Sequence, residues 1–216
     1  MPLYKYMMKH HLRSFLARGS LRIGTLHEYR SIESYGSVIG DDEEGTHYTS
    51  FQIPQGGTVN LMDDTLEAVY LRKLLLRENN RKIDLEIDLA PGAVFIEHGK
   101  SPDLNIYCAT SRYDPIVMKR FGYDACLKIE DPIRFFREIS KVIRHHGTFQ
   151  WQGPIVYANK STQWNRPHLV HPSIMKALKY SYQDEVRAIW DPTKESCRPL
   201  FVDVRKAIKF CCPFPL

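Results

Sequence analysis

The chain has 216 residues, 43% hydrophobic and 25% charged, so it can bury one sizeable core and is too hydrophobic for general disorder. The net charge of +5 is a mild excess that selects no class of partner. The sequence contains no apolar run long enough for a transmembrane helix, and its N-terminus lacks the pattern of a signal peptide. We therefore expect a single cytoplasmic domain over residues 1–216 that makes no contact with a membrane.

The first predicted elements are a strand at LYKYM, a helix at HHLRSFLARGS that ends at Gly19, and a strand at LRIGTL. From His27 to Phe51 the sequence is rich in glycine and acidic residues, with IGDDEEG at its centre. We predict a long ordered loop there, and such loops often carry binding residues.

The remaining chain predicts helices and strands that interleave without a regular βαβ period. Helices are predicted at DDTLEAVYLRKLLLRENN, PIVMKRFG, IEDPIRFFREISKVIRHHG and PSIMKALKY. Strands are predicted at KIDLEIDL, AVFIEHG, NIYCATS, DACLKIE, GPIVYAN, SYQDEVRAIW and PLFVDV. This order favours an α+β fold with mixed or antiparallel sheets and several helices.

The five cysteines form an odd set without CxxC spacing, which argues against a disulfide framework and against a zinc ribbon. The chain also lacks an HExxH motif, so we predict no metal site. Cys108 lies in an apolar strand and is expected to be a buried, inert thiol.

The segment LKYSYQDEVRAIW, residues 178–190, places polar side chains in a run that otherwise predicts a buried strand. Side chains alternate along a strand, so Gln183 and Glu185 are expected on one face. Burying an unpaired carboxylate is costly. This face is therefore the wall of a cleft, or it forms a salt bridge to a nearby arginine, or it is the solvated face of an edge strand that also carries Arg187.

The Q-x-E spacing and the order of the strands resemble those of ADP-ribosyltransferases. In that family a basic residue or histidine lies on an early strand, a serine or tyrosine on a middle strand, and the glutamate on a late strand. LYKYM, YCATSR and YQDEVR occur in this order, and FLARGSLRIGT is similar to the helix and apolar strand that follow the first strand. This chain departs from the pattern at the first position, where only Lys5 is available, so Arg22 or Arg30 would have to substitute.

The resemblance implies an ADP-ribosyltransferase-like fold that transfers ADP-ribose from NAD to a protein or nucleic-acid acceptor. It also implies a toxin or a phage-defence effector, with an antitoxin or a second copy of the chain as a possible partner. Glu185 would stabilise the positive charge on the ribose, Gln183 would orient the acceptor, and Ser111 would support the glutamate. The residues implied in NAD binding are Tyr6, Arg22, Tyr29, Arg30 and Thr110.

Over most of its length the chain also resembles an uncharacterised family of bacterial and phage proteins. The blocks that carry this resemblance are LYKY, LRIGTLHEYR with IGDDEEG, IYCATS and KYSYQDEVR. It implies a shared site built from these blocks and no particular activity.

The acidic segment IGDDEEG lacks the alternation of a calcium-binding loop, so we expect a solvated acidic turn. Arg30 in HEYRSIE could instead pair with Glu33 or with this segment.

A non-catalytic nucleic-acid-binding module is the alternative function. Basic and aromatic residues mingle at SRYDPIVMKRFGY and at FQWQGPIVYANKSTQWNRPH, as in surfaces that stack single-stranded bases.

Overall fold

A computed structural model of the chain describes residues 1–31, 36, 38–76, 81–166, 170–194 and 197–215. The chain divides into two compact units. Unit 1 comprises Met1–His47, Lys100–Lys160 and Val170–Leu216, and unit 2 comprises Tyr48–Gly99 and Ser161–Leu169. The two units are groups of residues that lie close together in space. The division does not test the expectation that residues 1–216 form a single domain, which stays a prediction.

The strands and helices follow one another in mixed order. The strands are β1 (Leu3–Met7), β2 (Ser20–Thr25), β3 (Thr46–Ile53), β4 (Gly57–Asn60), β5 (Glu86–Leu89), β6 (Ala93–Lys100), β7 (Asn105–Thr110), β8 (Ala125–Ile129), β9 (Gly147–Pro154), β10 (Val156–Ala158), β11 (Ser161–Gln163), β12 (Met175–Ala177), β13 (Glu185–Pro192), β14 (Leu200–Asp203) and β15 (Cys211–Pro213). The α-helices are α1 (Lys9–Arg18), α2 (Leu66–Leu76), α3 (Pro115–Arg120) and α4 (Pro132–Ile143). The 3₁₀ helices are Glu28–Arg30, Pro172–Ile174, Leu178–Gln183 and Arg205–Phe210.

Unit 1 is built on an eight-stranded sheet in which β7 is central. One edge of β7 pairs with β13, and β9 lies beyond β13. The other edge pairs with β1 at Thr110 and with β2 at Ile106 and Asn105. Because β1 and β2 share this edge at opposite ends of β7, the sheet opens between them.

Helices α1 and α4 cover one face of this sheet. Phe15 of α1 and Ile139 of α4 are fully buried in a core that includes Val186, Ala188 and Trp190 of β13. Side chains alternate along a strand, so Glu185 and Arg187 of β13 point to the opposite face. The packing of the core therefore fixes which face receives the polar residues.

Local signals explain how these helices begin and end. The Asp131 side chain accepts a hydrogen bond from the Arg134 amide at the start of α4, where Pro132 occupies the first turn. Helix α1 ends at Gly19, which has a φ of 78° and lies against the Val204 backbone, where a β-carbon would come within 2.4 Å.

Unit 2 contains the sheet β11-β3-β6, the antiparallel pair β4–β5 and helix α2. Its core joins Phe51 and Tyr70, whose rings stack at 4.4 Å, and Trp164, whose ring lies 5.0 Å from that of Tyr70. The buried Arg72 guanidinium donates to the carbonyl oxygens of Leu61 and Asp63, which satisfies a charge that burial would otherwise penalise.

The predicted α+β class is confirmed, with an antiparallel main sheet and parallel pairs such as β10–β12. Some local predictions are wrong. The loop expected from His27 to Phe51 contains a 3₁₀ helix and gives way to β3 at Thr46, and the helix expected at PSIMKALKY is replaced by β12 between two 3₁₀ helices. None of the described helices is long and apolar enough to cross a membrane.

Candidate functional site

The three segments that resemble the transferase pattern lie on adjacent strands. Thr110 on β7 is the register partner of Tyr4 on β1 and of Glu185 on β13. The sheet thus brings together the early, middle and late strands, although they are far apart in the sequence.

The chain reaches this position through a sharp change of conformation at Asp184. Residues Ser181–Gln183, which were predicted as the start of the strand, belong to the 3₁₀ helix Leu178–Gln183, and Asp184 has left-handed backbone angles (φ 44°, ψ 42°). The Ser111 amide donates to the Asp184 carbonyl oxygen at 2.9 Å, which fixes the start of β13. The predicted strand is therefore wrong before Glu185, because side chains of the 3₁₀ helix bond to a distant segment that the local pattern cannot reveal.

That segment is Val38–Gly40, whose carbonyl oxygens accept three hydrogen bonds from the 3₁₀ helix. Tyr180 Oη donates to Gly40, and Tyr182 Oη and Gln183 Nε2 donate to Val38, at distances of 2.9–3.1 Å. These bonds favour the helical turn over an extended strand.

Glu185 belongs to a buried ionic cluster that also contains Glu44, Lys176 and Arg187. Its Oε1 lies 2.5 Å from Arg187 Nε, and its Oε2 lies 3.1 Å from Lys176 Nζ. The two terminal nitrogens of Arg187 lie 2.9 and 3.0 Å from the two carboxylate oxygens of Glu44. Two carboxylates and two cations thus balance one another in the interior.

Burial excludes the solvated alternative for this strand. Glu185 and Arg187 are only 6% and 1% exposed, and β13 lies between β7 and β9 rather than at an edge of the sheet. The alternative of a salt bridge to a nearby arginine agrees with the structure, in which that arginine is Arg187.

Glu185 and Lys176 remain ionised near neutral pH. Burial by itself raises the pKa of Glu185, but attraction to Arg187 and Lys176 outweighs burial and holds that pKa below its usual value. Burial lowers the pKa of Lys176, and attraction to Glu185 and Glu44 raises it further than burial lowers it. A permanently charged carboxylate therefore stands at the start of β13.

The acidic segment IGDDEEG supplies part of this interior, which corrects the expectation of a solvated acidic turn. Asp41 and Glu44 are fully buried. Asp41 pairs with Lys160 at 3.0 Å, and Glu44 pairs with Arg187. Each partner lies more than a hundred residues away in the sequence, so the pattern of the segment itself could not indicate burial.

A small cavity of about 90 Å³ lies over the ionic cluster. Its lining combines the cluster and Gln183 with Thr110, Cys108 and a set of aromatic side chains, namely Tyr4, Tyr6, Tyr29, Phe121 and Tyr123. Burial raises the pKa of the Cys108 thiol to about 12, so this cysteine is a poor nucleophile at neutral pH.

A second, larger cavity of about 670 Å³ shares Lys5, Tyr6, Tyr29 and Tyr123 with the small one. Lys5 lies where the sheet opens between β1 and β2, and its Nζ donates to the Cys108 carbonyl oxygen at 2.7 Å. Burial lowers the pKa of Lys5. Because they share these lining residues, the two cavities are adjacent at the opening of the sheet.

Several of the predicted site residues line these cavities. Glu185, Gln183 and Thr110 line the small one, Arg22 the large one, and Tyr6 and Tyr29 line both.

Ser111 and Arg30 line neither cavity. Ser111 instead bonds to the Asp184 backbone, and Arg30 Nε donates to the Glu44 carbonyl oxygen at 2.7 Å. Arg30 thus contacts the acidic segment through a backbone carbonyl rather than through the ion pair that the alternative proposed, and Glu33 lies outside the described residues.

Sequence reasoning missed Glu44 and Lys176 as members of the site. Arg187 had a usable signal, because it follows Glu185 by two residues and so shares its face of the strand. Lys176 and Glu44 had no local signal, since their contacts with Glu185 and Arg187 depend on tertiary structure.

No family model, curated protein or solved structure matches this chain. The geometry of the site therefore carries the functional argument.

Proposed function

We propose that this chain is an ADP-ribosyltransferase-like enzyme that cleaves NAD and transfers ADP-ribose to a macromolecular acceptor, as a toxin or phage-defence effector. The observation that carries the proposal is the register in which Thr110 lies between Tyr4 and Glu185. It places the early, middle and late segments of the transferase pattern side by side over one cavity.

The reaction breaks the bond between C1′ of the ribose and the nicotinamide nitrogen. The bonding electrons leave with nicotinamide, so positive charge develops on the ribose, and an acceptor atom then bonds to C1′ and loses its proton. A fixed carboxylate in a water-poor site interacts more strongly with this developing charge than with the uncharged sugar. Glu185 has the required charge and fixed position.

The neighbouring cations set the orientation of Glu185. Arg187 and Lys176 offset part of its attraction for a positive ribose, while Glu44 offsets Arg187 in turn. In this proposal the ribose interacts with the side of the Glu185 carboxylate that faces the cavity.

The larger cavity supports the binding of NAD as the consumed substrate. Its volume of about 670 Å³ is within the usual range for cofactor and ligand pockets. Lys5 and Arg22 offer hydrogen-bond donors for the diphosphate, although Arg22 also pairs with Glu28 at 2.7 Å. Tyr6 and Tyr29 offer rings for stacking where the two cavities meet.

Gln183 and Ser111 act as positioning residues in this proposal. Gln183 Oε1 accepts a hydrogen bond from Lys176 Nζ at 2.8 Å, and Gln183 Nε2 donates one to the Val38 carbonyl oxygen. Both polar atoms of the side-chain amide are therefore bonded within the protein. Ser111 holds the Asp184 backbone and thus the start of β13.

The test is the release of nicotinamide from NAD by the purified protein and by Glu185→Gln. We expect the substitution to reduce release about 100-fold or more, because the amide keeps the shape but removes the charge. Asp41→Asn is the matched control, since it also removes a buried carboxylate from an ion pair but lies outside both cavities.

Rates are compared per folded molecule, with the folded fraction measured by circular dichroism. Asp41→Asn should retain the wild-type rate on that basis. Failure of the wild-type protein to bind or cleave NAD would refute the proposal, and so would equal losses in the two variants.

A further inference from the structure

An aromatic rim borders the small cavity on the side of helix α3. We define it as Tyr4, Phe121, Tyr123 and Tyr182 with Arg120. Tyr4, Phe121 and Tyr123 line the cavity, and the Tyr182 ring lies 6.5 Å from that of Phe121. The rim thus borders the space in which Glu185 lies.

The rings of the rim differ from the core aromatics in exposure. Phe135, Phe136 and Trp190 are at most 1% exposed, whereas the four rim aromatics are only partly buried. The rim rings also contact neighbouring rings, so a ligand can reach only their exposed area. Every nucleobase has a π-face that can contact such rings.

Arg120 adds a planar cation to this surface. Its guanidinium lies 4.5 Å from the centre of the Tyr182 ring, in the arrangement of a cation–π contact. Bases stack on arginine planes as well as on aromatic rings, and the same guanidinium can bind a phosphate.

Two exposed basic residues accompany the rings of the rim and can contact phosphates. Lys119 and Arg120 occupy the last turn of α3. The nearby carboxylates have partners of their own, since Asp114 caps α3, Asp124 accepts from the Lys9 amide and Asp184 pairs with Arg112 at 3.0 Å.

We infer that the aromatic rim binds single-stranded nucleic acid and that this is the acceptor class of the enzyme. The acceptor role rests on the proposed function, whereas the binding surface does not. Unstacked bases would lie on the rim, next to Glu185, with the backbone phosphates against Lys119 and Arg120. The rim includes part of the segment SRYDPIVMKRFGY, whose mixture of basic and aromatic residues indicated nucleic-acid binding from sequence.

The first test measures binding by fluorescence anisotropy. The probes are labelled DNA and RNA single strands of about twelve nucleotides, the length that such surfaces cover, and a DNA duplex of the same length. The proteins are the wild type, Arg120→Ala, Arg120→Lys, Glu185→Gln and Arg137→Ala.

Arg137→Ala is the matched control for charge, because Arg137 is an exposed arginine on α4, which packs on the other face of the sheet. We expect Arg120→Ala to weaken single-strand binding about tenfold and Arg120→Lys to restore only part of it, since lysine keeps the charge without the stacking plane. Arg137→Ala should bind as the wild type does, and Glu185→Gln should bind at least as tightly, because it removes a negative charge next to the bases.

The inference would be overturned by no binding, by equal losses in Arg120→Ala and Arg137→Ala, or by duplex binding as tight as single-strand binding. Comparison of the affinities for the DNA and RNA single strands shows which of the two nucleic acids the rim binds more tightly.

Labelled NAD separates the acceptor class from the proposed function. Transfer of label to the single strand supports nucleic acid as acceptor, and transfer only to protein in a cell lysate refutes it while leaving the transferase proposal intact. If NAD is not cleaved but Arg120-dependent binding is found, the transferase proposal and the acceptor role fail and the binding surface stands.

Discussion

Glu185 is a buried carboxylate whose charge depends on its neighbours. An isolated carboxylate in the interior would lower the stability of the fold. Glu185 is stabilised there because Arg187 and Lys176 donate hydrogen bonds to its two oxygens. Removing one member of such a cluster leaves a buried charge without compensation, so a substitution that tests the proposed role of Glu185 also lowers stability.

This coupling predicts how stability depends on pH. The folded-state pKa of Glu185 is held below its usual value of 4.5, so the stability due to its charge is complete above pH 4.5 and is lost as the pH falls below it. Glu185→Gln should lower the free energy of unfolding by about 3–5 kcal/mol at neutral pH, and the difference should shrink below pH 4.5.

Urea unfolding of both proteins across the acid range measures this difference. The control is Glu130→Gln, which removes an exposed carboxylate paired with Lys128 and should change stability little at any pH. A difference for Glu185→Gln that does not vary with pH would contradict the assignment of the charged state.

The junction between the 3₁₀ helix Leu178–Gln183 and β13 determines where the polar residues lie. Asp184 is the one described residue other than glycine with a positive φ, at 44°, and it makes the bend that starts β13 at Glu185. A residue with a β-carbon is disfavoured in this conformation, and aspartate tolerates it better than most.

Substitutions at Asp184 should therefore separate backbone strain from charge. Asp184→Gly accepts the positive φ and should change stability by less than about 1 kcal/mol, whereas Asp184→Val should cost about 1–3 kcal/mol because a β-branched residue resists it. Both variants lose the same exposed contact with Arg112, so that loss cancels in the comparison.

Urea midpoints of the two variants measure the effect. Equal stability of the glycine and valine variants would show that the left-handed conformation does not control this junction.

At the scale of the whole molecule, the chain enters and leaves unit 2 twice. Unit 2 is formed by Tyr48–Gly99 and Ser161–Leu169, and both segments are flanked by residues of unit 1. Each unit has its own buried cluster, centred on residues such as Ile139 in unit 1 and Leu71 in unit 2.

A single domain predicts one cooperative thermal transition. Ile139→Ala and Leu71→Ala should each cost about 2–5 kcal/mol, at about 2–4 °C in Tm per kcal/mol, and both should shift the same midpoint. Calorimetric and van't Hoff enthalpies should agree. Two transitions, each shifted by only one of the substitutions, would contradict the single-domain prediction.

The sequence by itself determined the elements whose signals are local. Helical spacing and Pro132 predicted the region of α4, although the helix ends at Ile143 rather than at the predicted Gly147. Gly19 predicted the end of α1, alternation predicted β1, and a short apolar run predicted β7. The sequence also identified Glu185 as a candidate site residue, because burying a carboxylate within an apolar run is unfavourable unless it has a partner. These signals lie within one or two turns of chain, where propensity and capping act.

Only the tertiary structure decided what surrounds Glu185. Glu44 reaches Arg187 across 143 residues of sequence, and Thr110 meets Glu185 through strand pairing. Lys5 lies in an opening that exists because two strands share one edge of β7. Such contacts follow from the pairing of distant strands and from the balance of buried charges, and no local pattern encodes either of them.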